Sequence, residues 1–181
     1  MNTRPLLILD LDETLIHANV DLVHDKYSYK LPFHYVYNRP HLNDFLLQAN
    51  KHYSLAVWSS ATDDYVNDII KNSFPEEIKL VFAWDRSHCT QRFDENFGSL
   101  IYVKNLRKVK QMGFPLERVL IIDDSPEKLK LNYGNVILIK PFEGNLNDSE
   151  LPKLSRYLDS IADNSNYLQL DKRNWIHKLE K

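Results

Sequence analysis

The sequence predicts an open α/β fold, a parallel sheet flanked by helices, with a small hairpin after the first strand. Three observations predict it. Short continuous runs of Ile, Leu and Val recur along the 181 residues, as strands covered on both faces require. Helical periodicities fill the intervals between those runs. Acidic and hydroxyl residues follow several of the runs, and the carboxyl ends of parallel strands are where such a sheet presents its ligands.

The apolar runs fall at 6–9, 55–58, 80–83, 119–122 and 136–139, so five buried strands are expected. The first helix opens with Pro40, which suits a first turn, and sets Leu42, Phe45 and Leu46 on one stripe. A second covers 62–71, with Thr62 as its cap and Tyr65, Val66, Ile69 and Ile70 inward. A third stripe, Val103, Leu106, Val109 and Met112, stops at Gly113 and Pro115. The fourth helix covers 149–161 with Leu151, Leu154, Leu158 and Ile161 inward. Residues 19–38 alternate aromatic and polar side chains, the pattern of exposed hairpin strands. Residues 85–99, which include Asn96 and Gly98, read as a loop or small insertion.

A chain of this length holds one domain, with a core at about 4–163 and residues 164–181 as a terminal helix or tail. Hydrophobic residues at 43% and charged residues at 27% are globular proportions. A net charge of −2 provides no overall field for nucleic acid or an anionic membrane. The basic group Arg107, Lys108 and Lys110 reads as a solvated helix face. Cys89 is the one cysteine, and with His88 it falls short of the four ligands of a zinc site. No apolar run reaches the ~20 residues of a membrane span, and the N-terminus lacks a secretory signal pattern. The expectation is a cytoplasmic monomer, with a nuclear location or delivery into a host cell left open.

Asp10 and Asp12 follow the first strand, Ser59 and Ser60 the second, and Asp123, Asp124 and Ser125 the fourth. Helix capping accounts for one acid per strand. It does not account for several together, whose mutual repulsion demands raised pKa values. A hard divalent cation resolves the conflict, and magnesium takes carboxylate and carbonyl oxygens together with substrate phosphate oxygens. With metal and phosphate present, Asp10 can attack phosphorus to form an aspartyl-phosphate. Asp12 can protonate the leaving oxygen and later deprotonate the hydrolytic water. Lys104, placed by the third stripe at the start of a helix, opposes the macrodipole there unless a phosphate and Asp10 hold it.

These residues, in this order, resemble the haloacid dehalogenase (HAD) superfamily of phosphotransferases. DLDET at 10–14 is similar to its first motif, Ser59 in VWSSAT to its second, Lys104 in YVKNL to its third, and Asp123-Asp124 in LIIDDSP to its fourth. The stretches DLDETLIH, NRPHLNDFL, RSHC, YVKNL and IIDDSP resemble the FCP/SCP-like phosphatases within it, also called NLI-interacting-factor-like. The resemblance implies a Rossmann-like HAD sheet with no large cap domain, and no cap-sized insertion lies between Thr14 and Ser59. It implies that Asp10 is nucleophile and magnesium ligand, and that Asp12 is general acid/base and lends its backbone carbonyl to the metal. Ser59 and Ser60 would bind phosphoryl oxygens, Lys104 would neutralise them, and Arg86 would hold substrate. Asp124 would complete the metal site, Asp123 would act through Lys104 or a metal-bound water, and Thr14 would order the loop.

The resemblance further implies a phosphoprotein or phosphopeptide substrate, with phosphoserine, phosphothreonine and phosphotyrosine all open. Three sequence departures bear on this: serine replaces the usual threonine in the second motif, segment 89–104 is long, and the aromatic 27–37 stretch is its own. Two alternatives remain: a small-molecule phosphatase, which a missing lid disfavours, and an inactive binding module. Intact Asp10, Asp12, Lys104 and Asp124 disfavour the latter.

Overall fold

The computed structural model describes residues 4–94 and 98–179. Strand β1 (Leu6–Leu9) has no exposed surface on any residue, because it lies in the middle of the main sheet. The chain then turns into β2 (Ile16–Asn19), β3 (Tyr29–Leu31) and β4 (His34–Asn38). Next come α1 (Leu42–His52), β5 (Ser54–Trp58), α2 (Asp63–Ser73) and β6 (Ala83–Trp84). Strands β7 (Thr90–Asp94) and β8 (Ser99–Val103) precede α3 (Arg107–Gln111), β9 (Val119–Asp123), β10 (Val136–Leu138) and α4 (Glu150–Ile161).

The main sheet has five parallel strands in the order β10-β9-β1-β5-β6. Side chains alternate along β1, so Leu7 and Leu9 enter one core while Leu6 and Ile8 enter the other. The first core lies under α1, α2 and α4, and the second packs Trp58, Leu106, Val109 and Leu129. This is the α/β architecture expected from the runs of Ile, Leu and Val.

Three local expectations are corrected, and one left open is resolved. The third apolar run is not a four-residue strand: β6 is only Ala83–Trp84. Residues 81 and 82 nonetheless bond β5 through Val81 N to Leu55 O (2.8 Å) and Val57 N to Phe82 O (3.0 Å). Pro40 lies before α1 rather than in its first turn. His41 adopts a left-handed φ of 66°, and the Leu42 amide donates to Arg39 O at 3.1 Å, so a turn precedes the helix. Of the two readings of 85–99, loop or small insertion, the described residues show the insertion: a 3-10 turn at Arg86–His88, then β7, paired in register with β8 from Thr90↔Val103 to Asp94↔Ser99. Asn96, in the predicted insertion, lies outside the described residues. Finally, Val103 ends β8, so the third helix is the five-residue α3 alone.

The stretch after β1 forms a three-stranded antiparallel sheet in the order β2-β4-β3. Phe33 at its turn is exposed, but Val36 and Tyr37 are buried. Beyond α4 the chain runs through short 3-10 turns at Tyr167–Gln169 and Trp175–Leu179. Tyr167 and Trp175 join the first core, and the Trp175 indole donates to Leu138 O at 2.8 Å, covering part of the outer edge of β10. Among the described residues no helix is long and apolar enough to cross a membrane.

Candidate active site

The first loop is built by its backbone. The Asp10 amide continues the sheet ladder to Ile122 O (3.0 Å), which fixes the start of the loop to the end of β9. Leu11 O then accepts from the amides of Thr14 (3.2 Å), Leu15 (2.8 Å) and Ile16 (3.0 Å), and Glu13 takes a positive φ of 56°. A loop this tight holds Asp10, Asp12 and Thr14 in fixed directions. The Thr14 hydroxyl donates to Asp10 Oδ2 at 3.1 Å. Arg39, buried between the sheets, donates to Thr14 O and Lys140 O at 2.9 Å each and to both oxygens of Asp148 at 2.9 Å.

Lys104 is fully buried and reaches Asp10 Oδ1 at 2.5 Å and Asp123 Oδ2 at 2.6 Å. Its amide donates to Lys128 O (2.9 Å), so the fourth-motif loop also fixes its backbone. Lys104 lies between β8 and α3, not at a helix start, which removes the macrodipole argument; the two carboxylates hold the ammonium instead. Burial alone would lower the Lys104 pKa, but Asp10 and Asp123 outweigh it and push it up. Burial, then the charge of Asp10, pushes the Asp123 carboxyl up to about 7 against the pull of Lys104 and Lys128. Asp123 Oδ1 accepts the Ser125 amide (2.9 Å), and the Ser125 hydroxyl donates to Asp124 Oδ1 (3.1 Å).

Asp10, Asp123 and Asp124 each offer an oxygen, all within 4.8 Å of one another. The donor set is hard oxygen without sulfur or imidazole, which fits magnesium and disfavours zinc or copper. Asp12 is not in this trio. Its carboxyl faces an open cleft of about 370 Å³ lined also by Glu13, His34, Thr62, Tyr65 and Arg86. Burial raises the Asp12 pKa, and a hydrogen bond from Tyr65 opposes it. Glu13 rises to about 7, through burial and then through the charges of Asp12 and Asp124.

The structure thus brings Asp10, Thr14, Lys104, Asp123 and Asp124 together, with Asp12 lining the cleft beside them. Ser59 is buried at the end of β5, and its Oγ accepts the Ala61 amide at 3.0 Å. Ser60, beside it, is half-buried. Arg86 is exposed, lines the cleft of Asp12, and sets its guanidinium 5.6 Å from the centre of the Tyr102 ring. Two residues of this region escaped the sequence reading. Lys128, on the 3-10 turn Pro126–Leu129, interacts electrostatically with Asp10, Asp123 and Asp124. Its signal was the SPEKL segment directly after the paired acids. Tyr65, on the apolar stripe of α2, donates its hydroxyl to Asp12 Oδ1 at 2.5 Å. A larger cavity of about 1110 Å³ lies elsewhere, between β10 and the final segment, and none of the predicted site residues lines it.

A five-stranded parallel sheet carrying an acid loop after its central strand, with a lysine bridging that loop to the acids of the neighbouring strand, is the HAD-type architecture. The description "NLI interacting factor-like phosphatase" matches residues 5–168, so the chain belongs to that family of phosphoric monoester hydrolases. CTD nuclear envelope phosphatase 1B of Danio rerio is 28% identical over 176 residues, covering 87% of this chain and 67% of the relative. Nuclear envelope morphology protein 1 of Schizosaccharomyces pombe is 28% identical over 169 residues, 87% of this chain but 33% of the relative. The solved structure of Fcp1, an essential RNA polymerase II CTD phosphatase, shares the fold with a TM-score of 0.61 at 18% identity, covering 98% of this chain and 60% of that one. The chain therefore spans about two thirds or less of each of these three proteins.

Proposed function

We propose that this chain is a magnesium-dependent phosphoprotein phosphatase that works through an aspartyl-phosphate on Asp10. The observation that carries the proposal is the buried Lys104 ammonium bridging Asp10 and Asp123. A purely structural core gains little from a buried charge cluster that apolar side chains could replace. Beside an incoming dianion, the same lysine offsets charge that grows at the phosphoryl group.

In this reading an Asp10 oxygen attacks phosphorus as the ester P–O bond breaks. The leaving oxygen takes a proton from the Asp12 carboxyl. Asp12, now ionised, then accepts a proton from the water that cleaves the acyl phosphate, which restores both acids. Ser59 and Ser60 receive phosphoryl oxygens at the end of β5, and Thr14 keeps Asp10 in its attacking direction. Asp123 acts through Lys104, which it holds in place. Asp10, Asp124 and the Asp12 carbonyl would hold magnesium, which would supply Lewis-acid polarisation of the phosphoryl oxygens. Arg86 at the rim contacts the body of the substrate.

The cleft supports a protein substrate. It is open, and no domain-sized insertion lies between β1 and β5 to close over it. The names of the relatives as CTD phosphatases point the same way. The test is hydrolysis of 4-nitrophenyl phosphate and of a panel of phosphoserine, phosphothreonine and phosphotyrosine peptides beside sugar phosphates. Turnover that needs magnesium and is lost in Asp10→Asn is the expected result. Undiminished turnover in Asp10→Asn overturns the mechanism, and a preference for sugar phosphates overturns the substrate class.

A further inference from the structure

Asp12 and Asp10 stand two positions apart on one tight loop, yet their carboxyls face different surroundings. Asp10 faces Lys104 and Thr14, deep against β9. Asp12 lines the open cleft, together with Tyr65 and Arg86. What fixes Asp12 in that direction is a single side-chain bond, from the Tyr65 hydroxyl to Oδ1 at 2.5 Å. Among the described residues no other side chain hydrogen-bonds this carboxylate.

Tyr65 is itself held from two sides. It sits in the first turn of α2, directly after the Ser59 connection, and its ring meets His34 of β4 edge to face, with centroids 5.9 Å apart at 71°. The hairpin sheet and the second-motif helix thus meet at this ring, and the hydroxyl at its end is aimed at Asp12. An aromatic ring held by packing loses little freedom when its hydroxyl bonds, which makes it a stiff support for a carboxylate.

We propose that Tyr65 is a positioning residue for the proton shuttle: by occupying Asp12 Oδ1 it leaves Oδ2 as the oxygen that faces the leaving group. The proposal rests on the phosphatase reading above. During the first step the P–O bond to the leaving oxygen breaks, and the proton on Asp12 Oδ2 moves to that oxygen. Removing the Tyr65 hydroxyl leaves nucleophile, lysine and phosphate contacts in place but lets the carboxyl rotate. The loss should therefore fall on substrates whose leaving oxygen needs the proton.

The experiment compares Tyr65→Phe with wild type on phenyl phosphate and on 4-nitrophenyl phosphate. The two fill similar space but leave as a poor and a good leaving group. The expected result is a fall in kcat/KM for phenyl phosphate roughly tenfold greater than the fall for 4-nitrophenyl phosphate. An equal loss on both substrates, or none, overturns the proposal, because damage to the helix or to phosphate binding does not sense the leaving group. Both substrates are assayed on one preparation, so their ratio cancels any change in the folded fraction. Asp10→Asn run alongside keeps the two readings apart. Activity persisting there defeats the phosphatase mechanism, whereas its loss together with an unchanged substrate ratio in Tyr65→Phe defeats only the role of Tyr65.

Discussion

Lys104 and Asp123 lie 2.6 Å apart with no exposed surface on either side chain, and Asp10 closes the group at 2.5 Å on the other side of the ammonium. Replacing Lys104 with Met strands two buried carboxylates. Urea unfolding should report a loss of about 3–5 kcal/mol, and aryl phosphate turnover should fall by at least about a hundredfold. The double variant Lys104→Met, Asp123→Asn should be more stable than Lys104→Met alone, since one less carboxylate must be buried without a partner.

A second prediction concerns acid stability away from the acid cluster. Burial alone would raise the Asp148 carboxyl, but hydrogen bonds from Arg39 and from the Glu150 amide outweigh it and hold its pKa below the ordinary value. A depressed carboxylate contributes stability that is fully present above its unfolded value near about pH 4 and is lost as pH falls through the folded value. Urea titrations from pH 7 to pH 2 should show wild type well above Asp148→Asn at neutral pH, with the gap closing below about pH 4. Arg39→Ala removes the buried guanidinium that also ties Thr14 O to Lys140 O, and should cost about 3 kcal/mol at pH 7.

Metal binding can be read without turnover. If Asp10 and Asp124 hold magnesium in the folded chain alone, mass action raises Tm as magnesium is added. At a hundredfold excess over Kd the gain is about 2.7 kcal/mol, or roughly 5 °C or more for a chain of this size. Asp124→Asn should abolish most of that shift in a thermal melt, and calcium-free chelator buffer should return wild type to its starting Tm.

A substitution at Arg86 tests whether peptide recognition and chemistry are separable. Arg86 lies on the rim, exposed and against the Tyr102 ring, and is not part of the buried acid cluster. Arg86→Ala should raise KM for a phosphopeptide roughly tenfold while kcat/KM for 4-nitrophenyl phosphate stays within about twofold. Equal losses on both substrates would instead place Arg86 on the phosphoryl group.

The main sheet was legible because parallel strands buried on both faces read as unbroken apolar runs, and β1, β5 and β9 are such runs. The acid loop was legible because carboxylates after two strands, with hydroxyls after a third, converge when those strands are neighbours. The placement of Lys104 was not. Val103, Leu106 and Val109 are all buried, and their spacing of three mimics one helix although Val103 belongs to β8. The β7-β8 ribbon was hidden for the opposite reason, since a two-stranded ribbon lying outside the main sheet leaves Phe93 and Leu100 exposed and carries no buried stripe. Tyr65 could not be assigned from pattern at all: an aromatic in a helical stripe reads as core, and only its distance to Asp12 reveals the hydroxyl bond.

The β7-β8 ribbon has an outcome for variation among chains of this build. Lys104 follows the inner end of β8, where Val103 pairs with Thr90 and the Lys104 amide is fastened to Lys128 O. Growth or trimming at the ribbon's far end leaves that root undisturbed, so inserts of very different size can be accommodated there without shifting the buried ammonium. A single residue added between positions 100 and 104 has no such freedom. It reverses which side of the ribbon each later side chain faces and swings the lysine out of the acid nest.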